Sequence, residues 1–330
     1  MKQILNYKKI KMAVALALMI LLVAALLPAP VQAAEAKWYK GTPGHGADGK
    51  VKIGGGYFWY DYEYGEDSTT VILCYSAKKS GKAVKLEAMD GSITFGGTIM
   101  FNGSKVYYTT MTDPFASDTV KVRIHSVSKT GKNKKTLKSI TISDNFMNTK
   151  LLNVYNGRLY FTRYNMDWEG NVTGGKLFSM NLSSNKVTRH SSEFLCADSA
   201  GNSRYIYAKP GNGEYFGTSN TLKVFDCKEK KVVRTIKNVY KYVCSGSKLY
   251  YAATGEDGSI KGIYRASASG KDKKQILKIN DQYGYGNLFK DSVYYYERDA
   301  GRYFQYDLAK GTTEEIDEFS FLVSQGPMGM

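Results

Sequence analysis

Histidine and cysteine are scarce in this chain of 330 residues, and each scarcity removes a class of chemistry. The three histidines, His45, His125 and His190, are spaced neither to share a metal ion nor to serve a nucleophile as its base, and no Gly-x-Ser-x-Gly elbow occurs. The four cysteines, Cys74, Cys196, Cys227 and Cys244, form no Cys-x-x-Cys pair and sit in no histidine cluster, which argues against zinc. They read either as buried thiols acting as small hydrophobes, or as the source of one bridge, with Cys196 and Cys244 in equivalent strands of neighbouring repeats. Amphipathic helical periods are missing between the repeats described below. No cofactor and no metal follow from this inventory.

What is present begins with Lys2, Lys8, Lys9 and Lys11 ahead of an unbroken apolar run over residues 12–27, then Pro28 and Pro30. That is the layout of a secretory signal peptide. A run of 16 residues falls short of the roughly 20 that span a bilayer. Val31 and Ala33 fit cleavage after Ala33, with Ala34-Glu35-Ala36 as a second register. Residues 1–33 are therefore expected to be removed, giving a secreted, extracellular product, and residues 34–50 to form a flexible leader. The removed segment carries four lysines and no acid, so the formal charge of +16 becomes +12. A mature chain of this size buries about three quarters of its unfolded surface, enough to be stable without disulfides.

Six short runs of aromatic and β-branched residues organise the remainder: Tyr57-Phe58-Trp59, Val106-Tyr107-Tyr108, Leu159-Tyr160-Phe161, Tyr205-Ile206-Tyr207, Leu249-Tyr250-Tyr251 and Val293-Tyr294-Tyr295. Their centres step by 49, 53, 46, 44 and 44 residues. Each run has a leading strand before it and two further strand-like segments after it, separated by polar turns. A four-stranded unit of this length, repeated six times, predicts an all-β, six-bladed β-propeller of four-stranded antiparallel blades. The blades are placed at about 51–90, 98–140, 150–190, 194–237, 241–280 and 286–318, within a propeller over 51–325 followed by a short tail, 326–330. Residues 319–323 read as a strand closing the ring, with residues 51–53 competing for the same place. A stacked sandwich accounts for the strands but not for the six-fold return of one strand order.

The run Phe58-Trp59-Tyr60-Asp61 resembles the Tyr-Trp-Thr-Asp signature of low-density-lipoprotein-receptor-type six-bladed propellers, and Ile263-Tyr264-Arg265-Ala266 to Gly270 resembles their Ile-x-Arg-Ala-x-x-x-Gly strand and turn. The chain is similar to bacterial secreted propeller domains of unknown function that look like those receptors. This resemblance implies the fold over residues 51–325 and no binding residue. Thr110, Arg163, Lys209, Ala253 and Glu297 stand where the other five runs need the signature Asp.

In an antiparallel blade the first-second and third-fourth turns share one end, while the second-third loops and the links share the other. The first end is rich in lysine, and Lys78, Lys79, Lys132, Lys134, Lys135, Lys230, Lys231, Lys273 and Lys274 are its candidate envelope-facing residues. Lysine also protects exposed edge strands from pairing with other chains; the functional reading is adhesion to anionic polymer or phospholipid. The opposite end is acidic and aromatic, and Tyr62, Tyr64, Phe115, Tyr164, Trp168, Tyr215 and Phe216 are its candidate ligand-binding residues. Exposed tyrosine and tryptophan suit sugars or peptides, since they give large contact area at low entropic cost. Asp167-Trp168-Glu169-Gly170-Asn171 offers oxygens at alternate positions but lacks a calcium loop's length and closing Glu.

The glycines of Gly44-His45-Gly46-Ala47-Asp48-Gly49-Lys50 imitate a phosphate loop, but no strand leads in and no helix follows. The reading is a secreted, non-catalytic interaction protein, a monomer, engaging an anionic cell-wall polymer, glycan or peptide at the envelope, with peripheral contact to a membrane surface. Nucleic acid is not expected as a partner. The competing reading is a carbohydrate-active enzyme using two loop carboxylates, among Asp61, Asp167 and Glu169.

Overall fold

The computed structural model describes residues 37–66, 68–112, 119–142, 147–166, 172–192, 194–199, 204–209, 221–245, 247–279, 285–289 and 291–324. The expected signal peptide lies outside them. Among the described residues no helix is long and apolar enough to cross a membrane.

The strands form six sheets that follow one another along the chain, antiparallel apart from one two-residue pairing in the first. The third sheet shows the plan: Met147–Tyr155, Arg158–Met166, Val172–Asn181 and Val187–Ser192 pair in sequence order. The fourth, fifth and sixth sheets repeat it, over strands running from Leu195–Asp198 to Lys231–Lys237, from Val239–Ser245 to Lys274–Lys278, and from Tyr285–Leu288 to Thr312–Ile316. Such four-stranded antiparallel units in series are consistent with a β-propeller.

Each aromatic run occupies the strand following a sheet's leading strand, and its side chains divide between two cores. Tyr108 packs with Phe58, Tyr60 and Tyr75 of the first sheet, whereas its neighbour Tyr107 packs with Leu159 and Phe161 of the third. Tyr251 faces the fourth sheet and Tyr250 the sixth. A strand covered on both faces has no polar face to alternate with, which explains why these runs are continuously apolar. Hydroxyls reach across as well: Tyr160 Oη donates to Cys227 O at 3.0 Å and Tyr207 Oη to Ala268 O at 2.7 Å, each tying one sheet to a turn of the next.

Two expectations are corrected. The leader is not free along its length, because Tyr39–Gly41 pairs with Ile99–Phe101 on the inner edge of the second sheet, and Gly44–His45 pairs in parallel with the Gly56–Tyr64 strand. Trp38 is 6% exposed and stacks on Tyr107 at 4.9 Å. Residues 319–323 are not a closing strand but part of a helix, Glu318–Ser324. Asp317 caps it, its carboxylate accepting from Ser320 N at 2.8 Å and Ser320 Oγ at 2.7 Å, which satisfies a helix donor that a strand would not present. Its Phe321 lies on Tyr303 of the sixth sheet at 4.8 Å. The inner edge of the first sheet is filled instead by Val51–Ile53 and Gly44–His45.

The strand Tyr39–Gly41 also reports on how the sheets are arranged. Lys40, on the inner edge of the second sheet, pairs with Asp198 on the leading strand of the fourth. That bond skips the third sheet and brings together the edges of the second and fourth. Burial lowers the Lys40 pKa more than Asp198 raises it; for Asp198, burial acts upward but Lys40 holds the carboxyl below the usual range.

Candidate functional site

At the acidic end of the first sheet, Tyr60, Tyr62 and Tyr64 alternate along the strand and so stand on one face. Tyr60 is 5% exposed, packs on Phe95 at 5.1 Å, and its pKa is raised by burial and then by Tyr62. Tyr62 is half-buried, and its hydroxyl shares a hydrogen bond of 2.6 Å with His45 Nδ1. The rings of His45 and Tyr62 are nearly parallel at 6.2 Å, and those of Tyr62 and Tyr64 follow at 6.4 Å. Tyr64 is 81% exposed. The result is an aromatic ladder rooted in the core and ending in solvent.

The glycine-rich segment that imitates a phosphate loop is what places His45. A Cβ on Gly44 would lie 1.6 Å from Gly49 O, and one on Gly49 would lie 2.2 Å from His45 O, so the chain can double back here only with glycine. Gly46 N then donates to Tyr60 O at 2.8 Å, fastening the turn to the ladder strand.

A second feature at the same end is a cleft of about 490 Å³ between the fifth and sixth sheets. Asp257, Glu297 and Asp299 line it together with Lys261, Lys278, Arg298 and the rings of Tyr295 and Tyr296. Asp257 accepts from Ser259 Oγ at 2.7 Å, Ser259 N at 3.1 Å and Lys261 Nζ at 3.0 Å. Ser259 foremost, then Lys261, holds the Asp257 carboxyl at about 2. Such a group stays ionised at neutral pH and cannot act as a proton donor there.

Of the expected ligand-binding residues, Tyr62 and Tyr64 are joined in the ladder, while Tyr164 is half-buried in the third sheet. Phe115, Trp168, Tyr215 and Phe216 lie outside the described residues, as do Asp167 and Glu169. Asp61 is exposed and its Oδ1 accepts from the next backbone amide, Tyr62 N, at 3.0 Å. All nine expected envelope-facing lysines are exposed. Two have defined roles: Lys134 donates to buried Glu87 at 2.7 Å, and Lys273 lies over the Tyr264 ring at 4.3 Å. Cys74 and Cys227 are buried thiols whose pKa values burial raises, that of Cys74 to about 11; the side chain of Cys196 lies outside the described residues. Among the described residues no group of three or more His, Cys, Asp or Glu could hold a metal ion.

The sequence reading missed a polar cluster between the first and second sheets. Tyr108 Oη donates to Glu87 Oε2 at 2.6 Å, and the Tyr108 ring stacks on His125 at 5.0 Å. His125 in turn shares hydrogen bonds with Thr110 Oγ1 at 2.8 Å and Thr136 Oγ1 at 3.2 Å. The available signal was polar residues at inward positions of strands otherwise buried on both faces.

No family model matches this chain, and no curated protein matches it. Solved structures do show similarity. An uncharacterised protein of Listeria monocytogenes aligns over 86% of this chain and 84% of its own length, at 10% identity and a TM-score of 0.48. Prolyl oligopeptidase B of Galerina marginata aligns over 76% of this chain, at 10% identity and a TM-score of 0.47; the alignment covers only 36% of the peptidase. The β-propeller domain of the Trilobed protease of Pyrococcus furiosus aligns over 66% of this chain and 68% of its own, at 10% identity and a TM-score of 0.42.

Proposed function

We propose that the chain is a secreted six-bladed β-propeller that binds a glycan or peptide at the cell envelope through its acidic, aromatic end, with its lysine-rich end resting on anionic polymer. The observation that carries this reading is the ladder of His45, Tyr62 and Tyr64. The strand carries it out from buried Tyr60 to Tyr64, which is 81% exposed, and a 2.6 Å hydrogen bond from exposed His45 fixes the orientation of the Tyr62 ring between them. Rigid aromatic faces lose little entropy on binding and stack well on sugar rings or peptide side chains. Asp61, Glu63 and Glu66 beside it add acceptors for hydroxyl or amide groups.

The test is binding of the purified protein to glycan and peptide arrays, compared with Tyr62→Ala and Tyr64→Ala. Loss of an anchoring aromatic should weaken a captured ligand by about thirtyfold, the scale of a 2 kcal/mol contact. Undiminished binding by both variants would overturn the assignment.

A second reading, hydrolysis, is supported by the gathering of carboxylates in the cleft between the fifth and sixth sheets. Glu297 and Asp299 face Asp257 across this cleft and are the candidate acid and base. Turnover of an array glycan that disappears in Glu297→Gln or Asp299→Asn would select this reading over simple binding.

A further inference from the structure

The basic end of the second sheet holds a pocket whose polar lining consists of hydroxyls, an amide and ammonium groups. Two turns build it. In the first, Asn102 Oδ1 accepts from Ser104 N at 3.1 Å, Ser104 Oγ at 3.0 Å and Lys105 N at 2.8 Å, which fixes the entry to the Lys105–Thr112 strand. The second turn is closed by Ser128 N donating to Lys132 O at 3.0 Å and is fastened to the first by Lys129 N donating to Ser104 O at 2.8 Å.

Between them is a cavity of about 380 Å³ lined by Ser104, Lys105, Ser126, Ser128, Asn133 and Lys135. Strand register puts these groups together: Lys105 is opposite Ser128, and Lys135 is opposite Ser126, so the four side chains share one face of the sheet.

Three features distinguish this pocket from a merely basic surface. Ser126 is 4% exposed and lines the cavity, yet its hydroxyl makes no hydrogen bond within the described residues. That hydroxyl can therefore donate to, or accept from, a ligand in the cavity without giving up a bond inside the protein. Neither Lys105 nor Lys135 has a carboxylate within ion-pair distance among the described residues, and no acidic residue lines the cavity. Asn133, the remaining wall, is held at φ 56°, a left-handed conformation in which asparagine is the best tolerated residue after glycine.

We propose that this pocket binds a tetrahedral oxyanion of the phosphate class. The ammonium groups of Lys105 and Lys135, the Ser126 hydroxyl and the Asn133 side-chain amide supply donors for several oxygens of one ligand, and lysine serves phosphate as a compact point charge. The inference rests on the lysine-rich half of the proposed function and narrows it from diffuse attraction to a defined site. The same phosphate chemistry is presented by the phosphodiesters of an anionic wall polymer and by phospholipid headgroups.

Calorimetric titration of the purified protein with inorganic phosphate tests the site. Saturable one-to-one binding is expected, weakened at least about tenfold in Lys105→Gln/Lys135→Gln and measurably in Ser126→Ala. Lys230→Gln/Lys231→Gln, which changes the charge equally elsewhere on the same end, should stay within about twofold of the parent. Thermal melting of every variant verifies folding, and Ser126→Ala, the smallest change, remains informative if the double variant is unstable. Absence of saturation, or equal losses in both double variants, overturns the pocket.

Sedimentation with poly(glycerol phosphate) and with phosphatidylglycerol vesicles, each competed by inorganic phosphate, separates the two sources. Salt-sensitive sedimentation without phosphate binding leaves the basic-surface reading standing and removes the pocket. Phosphate binding without sedimentation does the reverse.

Discussion

His125 is 5% exposed, stacked on Tyr108 and hydrogen-bonded at both ring nitrogens by threonine hydroxyls, so its charged form has little solvation to draw on. Burial lowers its pKa from 6.5 to about 4; Glu87 opposes that change, and Arg123 and Lys134 add to it. His190, which shares a 2.7 Å hydrogen bond with Ser179 Oγ, is likewise lowered to about 4, by burial first and then by Arg158 and Lys230. Between pH 6.5 and pH 4 the unfolded chain therefore binds protons that the folded chain refuses. Stability contributed by these neutral rings is complete above pH 6.5 and lost as pH falls toward 4, with a limiting slope of about 1.4 kcal/mol per pH unit for each histidine. Urea unfolding measured across this window should show a falling midpoint that flattens in His125→Gln; an unchanged slope in the variant would show that His125 carries none of it. The histidines illustrate what is legible at this scale. Spacing gives no reason to join them in a metal or nucleophile site, and the burial of His125 and His190 depends on which sheet face each strand position presents, which requires the register.

Elements were legible where local pattern and tertiary role agree. The aromatic strands qualify, because a strand packed between two sheets must be apolar on both faces, as Leu159-Tyr160-Phe161 is. The two terminal segments do not. Glu318-Phe319-Ser320-Phe321 alternates polar and apolar residues as a strand would before Leu322 and Val323 break the pattern, and only the Asp317 cap with Ser320 three residues on marks the segment as helical. Tyr39–Gly41 is too short for its periodicity to register, and its place on the second sheet is secured by the distant Lys40–Asp198 pair and the Trp38–Tyr107 stack. Removing one partner of such a pair leaves a charge stranded in the interior. Asp198→Ala should cost about 3 kcal/mol, and adding Lys40→Met should recover much of that loss, because the desolvated ammonium disappears with it. Chemical denaturation of the two single variants and the double variant measures the coupling; additive losses would mean that the strand is held by Trp38 and the backbone alone.

At the scale of the whole described unit, each consecutive pair of sheets shares a buried cluster, from the first and second through the fifth and sixth. The described residues show none shared by the sixth and first. Trp59, Ile72 and Cys74 on the first sheet form a small cluster of their own, with Lys50 over the Trp59 ring at 4.4 Å. On the sixth sheet, the tilted rings of Tyr296 and Tyr303 meet at 4.8 Å and remain half-buried, and the neighbouring helix leaves Phe319 76% exposed. The repeat predicts six equivalent contacts from its six aromatic runs, but whether the last contact is as well packed depends on surfaces that no run encodes. Local opening free energy follows buried apolar contact, so the sixth sheet should open most readily. In native-state hydrogen exchange, amides of Arg302–Asp307 should be at least about tenfold less protected than those of Lys248–Thr254, which lie between two packed neighbours. Equal protection across both strands would mean that the sixth sheet is covered as firmly as the fifth, and the exposed helix would then need another explanation.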